Sequence, residues 1–246
     1  MKRIMLIVAY DGTDYHGWQL QPNVPTIEGE LNKALEGLLG EEIQVIGASR
    51  TDSGVHALCN AAVFDTDTKI PAGKIAYALN QRLPEDIRVQ KSIETKPDFH
   101  PRHCVSQKTY EYRILNREFP LPTQRKYMHF TYVPLDEKRM QKGADYLTGE
   151  HDFKSFCASA AVVETTVRTL YGVMVERNGE EIVIRVTGNG FLYHMVRIIA
   201  GTLIEVGRGN IEPERIKEIL EAKDRSAAGP TAPACGLMLA GYEWQD

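Results

Sequence analysis

The stretch Ser49-Arg50-Thr51-Asp52-Ser53-Gly54-Val55-His56 gathers a guanidinium, a carboxylate and an imidazole in quick succession. Arg50 and Asp52 are separated by one residue, so on extended backbone their side chains lean to the same side. A cation beside a carboxylate favours the charged form that a nucleophile or general base needs. Apolar runs flank the stretch, with Ile43, Val45 and Ile46 before it and Ala57 to Phe64 after it, and both read as strands. The competing reading is a plain surface turn, because Asp caps its own turn and Gly54 accepts positive φ.

Other constellations lead less far. Asp52, His56 and a serine could be drawn as a hydrolase triad, but no Gly-x-Ser-x-Gly elbow is present. His56, His100, His103 and Cys104 suggest a metal, yet the last three lack the i, i+4 spacing of a helical ligand pair and Pro101 argues against helix, so no metal is expected. Gly188-x-Gly190 lacks the third glycine of a dinucleotide fingerprint and predicts instead a tight helix entry, with a helix N-terminus open to phosphate. Tyr15, His16, Trp18 and Gln19 lie on a polar loop over 11–25. Such aromatics either stack on bases or anchor the loop, and the sequence leaves both open.

A chain of 246 residues has room for two small domains or one large one. Hydrophobic residues at 43% and charged residues at 25% are ordinary for a soluble globular protein. The formal net charge of -4 excludes a globally basic nucleic-acid binder, so any RNA surface must be a local patch. Arg102, Lys108, Arg113, Arg125, Lys126 and Arg168 are its candidates. The apolar run from Ile4 to Tyr10 is too short for a membrane span and reads as a first strand. The four cysteines are widely spaced, without a Cys-x-x-Cys pair, which points to a reducing cytoplasm.

Hydrophobic periodicity supplies the elements that must position these residues. Lys2 to Tyr10 predicts a strand. A helix is predicted from Ile27, with Thr26 as N-cap and Gly40 as stop. The two strands around Asp52 follow. A second helix is predicted from Pro71 to Pro84, then a strand over Asp86 to Ile93. In the second half, Lys108 to Ile114 alternates as a strand, 119–134 reads as irregular, and Asp136 caps a helix through Leu147. Val167 to Arg177 and Glu181 to Val186 form a hairpin across Asn178-Gly179. Helices are predicted from Phe191 to about Val206 and from Pro213, and Leu237 to Trp244 closes as strand. Each half thus reads β-α-β-β-α-β, the second with one extra helix. The expectation is an α+β protein of two ferredoxin-like (RRM-like) halves, 1–103 and 104–246, with a cleft between them.

Four blocks, in order along most of the chain, resemble the tRNA pseudouridine synthase A family. They are Ser49 to His56; Phe99-His100-Pro101-Arg102 with Lys108-Thr109-Tyr110-Glu111-Tyr112; Asn189 to Arg197; and Ala232 to Leu237. Ser49 and Ser53 stand where the family usually has Gly and Ala, and Met238 where an aromatic is common; none of these removes a charge.

The resemblance implies a tRNA isomerase converting uridine to pseudouridine at positions 38, 39 and 40 of the anticodon stem-loop. It implies a homodimer using neither cofactor nor metal. Asp52 then corresponds to the catalytic carboxylate and Tyr110 to the active-site tyrosine. Tyr112 shares Tyr110's face by alternation and competes for that role. Arg197 corresponds to the ion-pair partner of Asp52, and Arg50 to the residue that helps flip the target nucleotide, since a base in a stem must be extracted before it can react. A catalytically silent RNA-binding protein and a small-molecule hydrolase are the alternatives. The aromatic Gly-Phe-x-Phe motif of RNA-recognition strands, which the silent reading would favour, is absent from the sequence.

Overall fold

The computed structural model describes residues 1–158 and 164–244. Two compact units emerge, Met1–Ser106 with Leu239–Asp246, and Gln107–Met238.

In the first unit, β1 (Lys2–Tyr10) buries Ile4, Met5, Leu6 and Val8 and pairs antiparallel with two later strands. Helix α1 (Ile27–Leu39) starts at Thr26, whose side chain accepts from the Gly29 N–H, and stops at Gly40 in the left-handed region. Strand β2 (Ile46–Gly47) is shorter than the sequence predicts. Val45 turns out of the ladder because its N–H donates to Asn32 Oδ1 of α1 at 2.9 Å. Strand β3 (His56–Thr66) follows the Asp52 segment, then α2 (Ala72–Leu79) and β4 (Ile87–Thr95).

Helix α2 ends well before Pro84. Asn80 caps its end, its own N–H still on Ala76 O, while its side chain clasps the Val89 backbone on both sides, at 2.9 and 2.8 Å. The strand order is β4-β1-β3, with β2 on the far side of β3. This is the ferredoxin-like arrangement built from β-α-β-β-α-β.

The second unit opens with β5 (Ser106–Asn116). A short strand, β6 (His129–Thr131), lies parallel to it, inside the stretch expected to be irregular. Asn116 explains it, since its amide donates to Thr131 O and Val133 O at 3.1 and 2.8 Å. Helix α3 (Glu137–Asp145) is capped by Asp136, which accepts from Lys138 and Arg139 N–H. Strand β7 (Gly149–Asp152) is polar and carries no alternation to betray it.

Strands β8 (Val167–Asn178) and β9 (Glu181–Gly188) form the predicted hairpin, with Gly179 at φ 60. Helix α4 (Met195–Gly207) begins four residues after Phe191, because His194 sits at φ 60 and ends a turn closed by Met195 N–H on Leu192 O. Helix α5 (Arg215–Ala222) likewise starts after a turn at Pro213. The order is β5-β9-β8-β7.

The last strand, β10 (Leu237–Trp244), gives the second half its β-α-β-β-α-β order, yet from Leu239 it belongs to the first unit. There Tyr242 joins Met5, Ala61, Val63 and Phe99 in the core. The protein is therefore α+β with two ferredoxin-like halves. Among the described residues no helix is long and apolar enough to cross a membrane.

Candidate active site

The Asp52 segment links β2 to β3 in the first unit. Strand β3 supplies Asn60, fully buried beside Ala61 and Ala62. Ser49 N–H donates to its Oδ1 at 3.2 Å, and its Nδ2 donates to Ser49 O at 2.9 Å and to the Tyr10 phenol at 3.2 Å. That phenol lies 2.7 Å from the Thr51 hydroxyl.

From the other flank, Trp18 N–H donates to Thr51 O at 3.0 Å and Gly54 N–H to Tyr15 O at 3.2 Å. Val55 N–H closes the turn on Asp52 O at 3.1 Å, with Gly54 at φ 77. The segment is a turn, and it is braced on both sides.

Trp18 is fully buried, and a Cβ on Gly47 would stand 2.3 Å from its indole. Of the two readings of that aromatic, it anchors the loop. Gly17, at φ 88, approaches so closely that a Cβ there would meet Thr51 O at 2.6 Å. His56 is buried as well. Its Nδ1 accepts from Gly12 N–H at 3.1 Å and lies 3.1 Å from Asp11 Oδ1, which makes it a brace for the loop.

Within this frame the side chains differ in exposure. Thr51 is buried, Asp52 is half-buried and Arg50 is exposed. The Ser49 hydroxyl is buried without a hydrogen-bond partner among the described residues.

Arg102 comes to the same segment. Its Nε donates to Gly47 O at 2.7 Å. Burial of the guanidinium pushes its pKa down, and the nearby Arg50 charge pushes it further. Its neighbours are held too. Phe99 O accepts from Arg3 at 2.9 Å, Pro101 O accepts from the Tyr242 phenol at 2.9 Å, and the His100 and His103 rings stack at 4.0 Å. Burial, then the charges of His103, Arg102 and Arg3, lower the pKa of His100.

In the second unit, β5 carries both tyrosines. Tyr112 is fully enclosed, donates to Pro233 O at 2.9 Å, and has its pKa pushed far up by burial. Tyr110, at 8% exposure, meets Phe191 edge-on with ring centroids 5.1 Å apart. Tyr112 is committed to the core, and Tyr110, though buried too, keeps a small exposed area.

Arg197 projects from the first turn of α4, half-buried. Its Nε donates to Ala232 O at 2.8 Å, while Ala232 N–H donates back to Arg197 O at 3.0 Å. Gly201 seals this seam, because a Cβ there would meet Pro230 O at 1.8 Å. The third and fourth sequence blocks are thereby joined.

The remaining basic candidates are dispersed in role. Arg168 lies over Gly190, donates to Thr165 O at 3.0 Å and has its pKa lowered by burial. Arg113 faces Glu111 at 3.4 Å and Glu181 at 3.8 Å. Arg125 folds onto Pro122 O at 2.9 Å. Lys108 and Lys126 are half-buried. Neither Tyr10 nor Asn60 stands among the functional residues expected from the sequence. Asn60 had a signal, being a polar residue inside the apolar run from Ala57 to Phe64.

The profile of the tRNA pseudouridine synthase family matches residues 6–103 and 144–244. Similar proteins include one called tRNA pseudouridine synthase A from Thermoanaerobacter sp., 49% identical over 97% of this chain and 98% of its own. Another of that name, from Brevibacillus brevis, is 47% identical over the same shares. A chain from a crystal structure of an archaeal box H/ACA sRNP complex is 12% identical with TM-score 0.35. It covers 92% of this chain, which spans 59% of that chain's length.

Proposed function

This chain belongs to the tRNA pseudouridine synthase family, and from that premise we propose that it isomerises uridine at positions 38, 39 and 40 of the tRNA anticodon stem-loop with Asp52 as the catalytic carboxylate. It is an isomerase acting on tRNA. The net change breaks the N1–C1′ bond of uridine and forms a C5–C1′ bond, with one proton leaving C5 and one arriving at N1. No atom is gained or lost, so the reaction calls for positioning rather than a co-substrate. A carboxylate held near the sugar and base meets that demand.

One observation carries the assignment of Asp52. Its turn is braced on one side by Asn60 and Tyr10 and on the other by Trp18 and Tyr15, while its own side chain stays part-exposed beside exposed Arg50. A fixed backbone with an accessible carboxylate is what a preorganised catalytic group requires. In this reading Tyr110 packs on the target uracil, Arg197 pairs with the Asp52 carboxylate, and Arg50 takes the flipped nucleotide's place in the stack. Acceptance of three neighbouring uridines calls for recognition of shape and phosphate rather than base edges. The enzyme acts as a cytoplasmic homodimer, with one tRNA touching both subunits.

The test is conversion of uridine in unmodified tRNA transcripts bearing it at 38, 39 or 40, with no added metal or nucleotide. Wild type should convert all three, and Asp52→Asn should bind the transcripts without converting them. Binding without conversion by wild type would instead leave a silent RNA-binding protein.

A further inference from the structure

We infer that Tyr193 and His194, at the entry to α4, form a stacking platform for one unpaired nucleobase of the bound RNA other than the target uridine. The inference deepens the proposed tRNA reading and rests on it. The two rings stack with centroids 3.9 Å apart and planes 30° from parallel. Adjacent side chains do not meet this way in regular structure, since on a strand they point to opposite faces and on a helix they diverge by about 100°. The departure from both patterns lies in His194, whose φ of 60 is left-handed. That backbone is uncommon for any residue but glycine, and it concentrates where function keeps it.

The turn beneath the pair is fixed from the core. Leu192 and Met195 flank it and are buried; Met195 N–H closes the turn on Leu192 O at 3.1 Å, and Leu192 N–H donates to Met195 Sδ at 3.5 Å. Tyr193 O accepts from Ala158 N–H at 3.1 Å and His194 O from Ile198 N–H at 3.0 Å. The backbone of both residues is thus held, yet Tyr193 is 47% exposed. Among the described residues its phenol has no hydrogen-bond partner and its ring stacks on His194 alone. A core tyrosine would be covered, and a merely solvated one would need neither the stacked neighbour nor the special backbone.

With one face backed by His194, the exposed ring offers its other face, and every base has a π-face that fits it. Holding the ring in place beforehand lowers the entropy lost when RNA binds. Arg197, which the proposed mechanism pairs with Asp52, follows in the first turn of the same helix, so the platform and that arginine share one helix entry. Tyr110 is assigned to the target uracil, so the platform takes another base. Bases within a stem are already stacked on their neighbours, whereas unpaired loop bases splay out onto aromatic rings.

The experiment titrates anticodon stem-loops, carrying 2-aminopurine at one loop position at a time, with wild type, Tyr193→Phe and Tyr193→Leu. At one position wild type and Tyr193→Phe should quench the fluorescence by stacking. Tyr193→Leu should not, and its affinity should fall by about tenfold. The slope of log affinity against log salt should stay as in wild type, because no phosphate contact is lost. Unchanged quenching and affinity in Tyr193→Leu at every position overturn the platform. Equal losses in Tyr193→Phe and Tyr193→Leu overturn it as well, since a hydroxyl contact and not the ring face would then hold the RNA.

A second measurement needs no variant to fold. An abasic nucleotide at the quenched position should weaken binding by wild type about tenfold; uniform binding with an abasic nucleotide at each loop position in turn overturns the proposal. Combined with Tyr193→Leu, the abasic site should cost little more, because ring and base act as a pair. Failure of wild type to bind the unmodified stem-loop would overturn the tRNA reading and the platform with it, whereas binding that none of these changes alters overturns the platform alone.

Discussion

The Tyr10 phenol stands 2.7 Å from the Thr51 hydroxyl, one residue before Asp52, and is itself reached by the Asn60 amide at 3.2 Å. One buried asparagine therefore controls both the Ser49 backbone and the tyrosine that steadies Thr51. Asn60→Ala strands several buried polar groups and should destabilise the protein by about 3 kcal/mol. Urea unfolding measures that loss. Single-turnover uridine conversion on the fraction still folded should fall too, because the turn loses its support; an unchanged rate would detach Asn60 from the site.

Gly17 and Gly37 make a contrasting pair. Alanine at Gly17 would hold a left-handed φ of 88 and press on Thr51 O, so Gly17→Ala should cost about 1–3 kcal/mol. Conversion should slow by about a hundredfold if the neighbouring Asp52 shifts by as much as about 1 Å. Gly37 lies inside α1 with nothing within 4 Å of a built Cβ. Gly37→Ala should therefore stabilise by roughly 0.5–1 kcal/mol with normal activity. Thermal melts with parallel turnover assays separate the two.

The two tyrosines of β5 should respond in opposite ways. Tyr112→Phe removes the donor to a buried carbonyl and should lower stability by about 1–2 kcal/mol while sparing the conversion rate of folded enzyme. Tyr110→Phe should reduce the conversion rate of folded enzyme. If Tyr112→Phe were the variant that lost catalysis at full stability, the two roles would have to be exchanged.

Arg3 grips Asp65 with two hydrogen bonds of 2.8 and 2.6 Å. These bonds hold the Asp65 carboxyl below the usual carboxylate range. A carboxyl depressed in the folded state takes up protons more readily when unfolded, so its contribution is intact above the unfolded value of about 3.9 and is lost as pH falls through the lower folded value. Asp65→Asn should make the stability curve shallower below about pH 4. Urea melts across that range test it; an undiminished slope would assign the acid loss to other carboxyls.

The sequence made the chemistry more legible than the boundaries. Thr26, Gly40, Asp136 and Asn178-Gly179 mark ends through local caps and turns, and the structure has them there. The misplaced ends were set by partners far along the chain. Asn80 at the end of α2 is tied to Val89, Val45 is drawn from its strand by Asn32, and β6 is held by Asn116. Strand β7, Gly-Glu-His-Asp, was invisible because pairing with β8 rather than burial makes it a strand. The Asp52 motif stood out by residue type, whereas its braces, Tyr10 and Asn60, looked like ordinary strand residues until tertiary contacts joined them.

The last strand has a consequence in time. Tyr242, whose phenol holds Pro101 across a separation of 141 residues, is synthesised long after the segment it secures. While translation proceeds, the first unit is short of one strand and of Tyr242 in its core, and Pro101, next to Arg102, lacks the phenol that donates to its carbonyl. Closing so long a loop carries an entropic cost that local contacts do not defray, and it slows the final step. The amino-terminal unit, first to leave the ribosome, is therefore the last to be finished, and a nascent chain halted before Leu239 would carry the Asp52 turn on an unfinished support.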